Sequence, residues 1–103
     1  MEYIIDKDKS LLSITFDKHV IKHLKARCNN NLYFYQSKHN ANLFSLVKAN
    51  TGYKIVKSKN KKFYEIHIPY KINFLKEFEK INCIYFLKKS GLIRLKIIET
   101  NYA

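Results

Sequence analysis

Tryptophan is absent from this 103-residue chain, which also has one proline, two glycines, two cysteines and only eight acidic residues. Each shortage closes off a class of protein. Two glycines, Gly52 and Gly91, cannot build the glycine-rich loop that cradles a nucleotide phosphate. Cys28 and Cys83 stand far apart with no CxxC, so neither a disulfide framework nor a zinc ribbon is encoded, and a reducing compartment is the simple expectation. No apolar run approaches the roughly 18 residues that cross a bilayer. The opening MEYIIDKDKS lacks the charged-then-apolar order of a secretory signal. The expectation is a soluble, intracellular protein with no membrane partner, in a bacterial cytoplasm or an organelle with an AT-rich genome.

The shortage of acids matters most. Twenty Lys and Arg face eight Asp and Glu, a net charge of +12. AT-rich coding accounts for lysine over arginine and for abundant Asn, Ile, Phe and Tyr, but it would favour acidic residues as readily. An excess of one sign attracts polyanions through long-range steering and counterion release, which points to nucleic acid. The plainer alternative is a solvated surface kept soluble by self-repulsion.

What is present is apolar residue in quantity. At 47% hydrophobic the chain can fill one core, and at 103 residues it is too short for two ordinary domains, so residues 1–103 read as a single domain.

Its pattern is written twice. Displaced by 52 positions, Ile14 and Phe16 fall on Ile66 and Ile68, Asp17 on Pro69, and Leu32–Phe34 (LYF) on Ile84–Phe86 (IYF). Each copy opens with a short extended stretch, EYII or YKIV, and a charged turn, DKDKS or KSKNKK. Alternation in Leu12, Ile14, Phe16 and in Tyr64, Ile66, Ile68 then predicts a half-buried strand. A short amphipathic helix follows, capped by Asp17 with Val20, Ile21 and Leu24 as its stripe, or introduced by Pro69 with Ile72, Leu75 and Phe78.

Both copies close on a hairpin: Leu32–Gln36 with Leu43–Lys48 around SKHNAN, and Ile84–Leu87 with Leu92–Ile98 around KKSG. The predicted fold class is α+β, mainly β: two fused β-β-α-β-β repeats sharing one core as a pseudo-dimeric barrel or sheet. Repeat one spans about 1–50, repeat two about 51–98, and 99–103 form a polar tail. One copy alone is too small to bury a stable core. Ile14, Phe16, Leu24, Phe34, Ile66, Ile68, Leu75 and Phe86 are its expected centre.

The stretches KSKNKKFYEIHIPYKINFLKEF and DKDKSLLSITFDKHVIKHL resemble the AbrB and MraZ type of swapped-hairpin DNA-binding domain, over nearly the whole chain. MraZ-like proteins also carry two copies in one polypeptide. The resemblance implies a small DNA-binding regulator that meets DNA through its charged turns. Family members commonly have arginines there, whereas this chain has lysines, which grip phosphate but lack the flat fork that reads guanine. IHIPYKINF followed by IYFLKKSGLIRL also resembles bacterial-type large-subunit ribosomal protein six. That likeness implies an rRNA-binding protein of a bacterial or organellar ribosome, although the stretch lies near the other end of the chain.

The candidate nucleic-acid contacts are Lys7, Lys9, Lys57, Lys59, Lys61, Lys62, Lys88 and Lys89 in the turns, with Arg94 on the last strand. Tyr33 and Tyr35 alternate with Leu32 and Phe34, so they are the candidates for stacking on unpaired bases. The expected partner is nucleic acid, DNA slightly ahead of RNA, within a homo-oligomer or a ribonucleoprotein. A phage or plasmid module aimed at an acidic host protein is the further alternative. No nucleophile with a matched histidine and no pair of carboxylates set apart in a cleft is legible. Neither an enzyme nor a cofactor is therefore expected, and His19 and His23 at helical spacing read as a polar helix face rather than a metal site.

Overall fold

The computed structural model describes residues 1–60, 62–73 and 81–99. The chain is mainly β. Strand β1 (Glu2–Asp6) turns back into β2 (Leu11–Phe16), and helix α1 (Lys18–His23) leads to the hairpin of β3 (Asn31–Gln36) and β4 (Leu43–Ala49). Two short strands follow, β5 (Tyr53–Lys54) and β6 (Val56–Lys57), then β7 (Tyr64–Pro69), helix α2 (Tyr70–Asn73), and the hairpin of β8 (Ile81–Lys89) and β9 (Leu92–Glu99). All pairings are antiparallel. They form a four-stranded sheet in the order β1-β2-β7-β6 and a five-stranded sheet in the order β5-β3-β4-β9-β8.

Alternation decides which faces meet. Leu12, Ile14 and Phe16 of β2 and Ile66 and Ile68 of β7 are buried on one face of the first sheet. Leu32, Phe34, Phe44, Leu46, Ile93, Leu95 and Ile97 are buried on one face of the second, and all join one hydrophobic cluster drawn from both halves of the chain. Phe34 and Phe44 stack across the β3–β4 pair, ring centres 5.0 Å apart. Of the expected core centre, Ile14, Phe16, Leu24, Phe34, Ile66 and Ile68 are buried, and Phe86 packs on the cluster half-buried. Leu75 lies outside the described residues, as do Phe78 and the lysine at position 61.

The helix starts follow from local chemistry. Asp17 caps α1 by accepting from the N–H groups of His19 and Val20, and Val20, Ile21 and Leu24 turn inward. Pro69 ends β7 and immediately precedes α2, whose first N–H, from Tyr70, donates to Ser10 O at 3.0 Å.

Two features depart from the pattern read in sequence. YKIV is not one strand: Ile55 breaks it, fully buried, so that β5 pairs with β3 in one sheet and β6 with β7 in the other. Its N–H donates to Asn30 O and its carbonyl accepts from Asn29 N–H, both at 2.8 Å, which satisfies the backbone at this corner. Glu99, expected in the tail, still belongs to β9.

Candidate nucleic-acid interface

The lysine turns differ in how they are built. In the β1–β2 turn Lys7 and Lys9 are exposed, but Asp6 and Asp8 alternate with them, and the Asp6 carboxylate accepts from Lys9 N–H at 3.1 Å. That turn is close to neutral. In the β6–β7 turn Asn60 Oδ1 accepts from the Ser58 hydroxyl at 2.6 Å and from Lys62 N–H at 3.0 Å, and Ser58 N–H donates to Phe63 O at 2.9 Å. Serine and asparagine thus satisfy this loop, leaving Lys57, Lys59 and Lys62 exposed with no carboxylate in the turn. In the β8–β9 turn Gly91 has φ 71° beside exposed Lys88 and Lys89. There His23 Nε2, from the end of α1, hydrogen-bonds the carbonyls of Lys89 and Leu92.

The first two turns do not come together. Leu11, which follows the β1–β2 turn, pairs with Pro69 at the far end of β7, while Tyr64, which follows the β6–β7 turn, pairs with Phe16. The turns therefore sit at opposite ends of the four-stranded sheet, about 17 Å apart along the strands. Its outer face between them carries acids: Glu2, Thr15, Glu65 and Val56 form one row across the strands. In the next row Ser13 Oγ meets His67 Nδ1 at 2.8 Å, and His67 Nε2 lies 3.4 Å from Glu65.

The outer face of the five-stranded sheet is of another kind. Tyr33, Val47, Leu92 and Lys89 form one row, Tyr35, Ser45, Arg94 and Leu87 the next, and Leu43, Lys96 and Tyr85 a third. Tyr33 and Tyr35 are 48% and 38% exposed and lie ring to ring, centres 5.8 Å apart at 24°. Tyr85 and Leu87 are 57% and 44% exposed. No carboxylate stands on this face among the described side chains, while Lys89 and Lys96 are exposed there. The neighbouring Cys83 holds the Tyr85 phenol above its ordinary range. Arg94 is half-buried, and its Nε is sealed from solvent without a hydrogen-bond partner.

Sequence reading placed Tyr33, Tyr35 and Arg94 among the candidates and Tyr85 among the strand tyrosines able to stack, but it did not bring Tyr85, Leu87 and Lys96 beside them. The signal was present in the alternation of CIYFLK, where Tyr85 and Leu87 fall opposite Ile84 and Phe86; what joins them to Tyr35 is cross-strand register. Among the described residues no three His, Cys, Asp or Glu side chains are grouped to hold a metal ion. Cys28 and Cys83 are free thiols, and no described helix is long and apolar enough to cross a membrane. No family model, curated protein or solved structure matches the chain.

Proposed function

We propose that this protein binds nucleic acid, laying an unpaired strand on the outer face of its five-stranded sheet while the lysine turns supply the surrounding positive field. One observation carries the proposal: the exposed aromatic pair Tyr33–Tyr35 shares a face with Arg94, Lys96 and Lys89, with no carboxylate there among the described side chains, in a chain of net charge +12. Every base has a π-face, so tyrosines on a strand surface accept bases of any sequence, and nearby cations follow the phosphates. An interaction module for an acidic protein would use the same charge but would not need the rings stacked and open.

The test is fluorescence anisotropy with labelled oligothymidylate and a duplex of equal length. The single strand is expected to bind more tightly, and Tyr33→Ala or Tyr35→Ala to weaken it by about fivefold to a hundredfold, from about 1–3 kcal/mol per stacked base. Unchanged affinity in both variants would remove the face as the contact surface. Replacing Lys57, Lys59, Lys61 and Lys62 together is expected to flatten the salt dependence of binding while leaving the tyrosine effect in place.

Duplex DNA, as in an AbrB- or MraZ-like regulator, is the second reading, and strand register favours it. Ile4 pairs with Ser13 and Val56 with Glu65, each displaced by 52, and the β2–β7 pairing brings Ile14 against Ile66, again 52 apart. Phe34 pairs with Leu46 and Phe86 with Leu95, displaced by 52 and 49, and Ser45 against Arg94 is also a displacement of 49. These registers support a tandem duplication about a pseudo-twofold axis through the Ile14–Ile66 and Ser45–Arg94 pairs. A twofold arrangement suits two half-sites on a duplex. A preference in the anisotropy series for one short duplex over random duplex and over single strand would select this reading.

A further inference from the structure

We infer that the groove under the β3–β4 loop is a phosphate pocket in which Arg94 holds one phosphate of the strand lying on Tyr33 and Tyr35. The inference rests on the nucleic-acid reading of that face. The groove has a volume of about 290 Å³ and is lined by Tyr35, Lys38, His39, Ser45 and Arg94 among others, with no carboxylate among the described residues. Arg94 Nε is the one buried side-chain nitrogen or oxygen without a partner among the described residues. With Nε covered by protein, the rest of the half-buried Arg94 side chain lines the groove, and a phosphate oxygen there is a charge-assisted acceptor for the guanidinium.

The loop over the groove has its own polar groups satisfied elsewhere. Asn40 Oδ1 accepts from Asn42 N–H at 2.9 Å, Ser37 Oγ from His39 N–H at 3.2 Å, and the Ala41 carbonyl from Gln36 Nε2 at 3.0 Å. Ser37 N–H donates to Leu43 O, and Ile97 N–H to Asn42 O, both at 2.8 Å. The loop is thus tied to itself and to β9, leaving the Lys38 and His39 side chains exposed at the rim. At the equivalent turn of the other hairpin only Ser90 and Gly91 intervene between paired Lys89 and Leu92, so no overhang forms there. Ser45, which pairs with Arg94 across the strands, offers a hydroxyl beneath the same groove.

Arg27 and Arg94 are the only arginines, so each side-chain Nε–H resonance of the 15N-labelled full chain is assignable with Arg27→Lys, and exposed Arg27 serves as the internal control. Inorganic phosphate and oligothymidylate are titrated separately. Both are expected to move the Arg94 signal and not Arg27, and Arg94→Lys, with the fold verified by its amide spectrum, is expected to abolish the phosphate response. The same variant should weaken oligothymidylate by about tenfold or more, the loss of a hydrogen bond to a charged group. An Arg94 signal that moves with neither probe, or only in step with Arg27, overturns the pocket even if oligothymidylate binds by anisotropy. An Arg94 response to phosphate without oligothymidylate binding keeps the anion pocket and overturns the strand reading instead.

Discussion

Asp17 sits between β2 and α1, and its carboxylate accepts from His19 N–H at 2.9 Å and Val20 N–H at 3.2 Å. These bonds, chiefly that from Val20, lower its pKa below the usual 3.8. A carboxylate whose folded pKa is depressed adds stability that is complete above the unfolded value and is lost as pH falls through the folded one. Asp17→Ala is therefore expected to cost about 1 kcal/mol at neutral pH. In urea melts the gap to the parent chain should close as pH drops below 3.8, whereas Asp17→Asn, which keeps a cap acceptor without the charge, should show a flatter pH profile. A gap unchanged down to the lowest pH would mean the ionised cap is not what holds the helix start. This residue was legible in sequence because a cap needs only its own next three residues. The buried Nε of Arg94 was not, because it depends on which strands flank β9.

At the scale of elements, the stretch YKIV was legible as extended but not as two strands. Periodicity reports that residues alternate, not that neighbouring pairs go to different sheets, and the switch at Ile55 depends on the Asn30 carbonyl that accepts from it and the Asn29 N–H that donates to it. The same junction makes one glycine far less replaceable than the other. Gly52 has φ 129°, and a Cβ there would lie 2.2 Å from the Leu32 carbonyl oxygen, on the edge where Leu32 pairs with Tyr53. Gly91 has φ 71° with nothing within 4 Å of its would-be Cβ. Gly91→Ala is expected to lose about 1 kcal/mol, the left-handed backbone penalty alone. Gly52→Ala must also push β5 from β3 and is expected to lose about 3 kcal/mol. Thermal unfolding of the two variants ranks them, and equal losses would contradict the close approach. The groove beside Tyr35 belongs to this scale too, since it exists because one hairpin loop is longer than its counterpart.

At the scale of the whole molecule, charge and hydrophobic pattern were legible separately and meet only in the fold. Alternation identified the inward residues, but only the strand order gathers Glu2 and Glu65 on one outer face and leaves Tyr33, Tyr35, Arg94 and Lys96 on the other. The same strand order makes the two halves dependent on each other. β2 from the front half pairs with β7 from the back, and β4 with β9, so each sheet has its central seam between halves. Cutting there would open Leu12, Ile14, Ile66, Ile68, Leu46 and Ile93, all essentially inaccessible in the intact chain. A fragment of about 50 residues cannot cover that much apolar surface alone. Residues 1–50 and 51–103 made as separate chains are therefore expected to give no cooperative urea transition individually, and to regain one, with protection of Ile14 and Ile66 amides from hydrogen exchange, when mixed at equal concentration. A cooperative transition in either fragment by itself would show that one half closes its own core, and the tandem interpretation of the registers would fall with it.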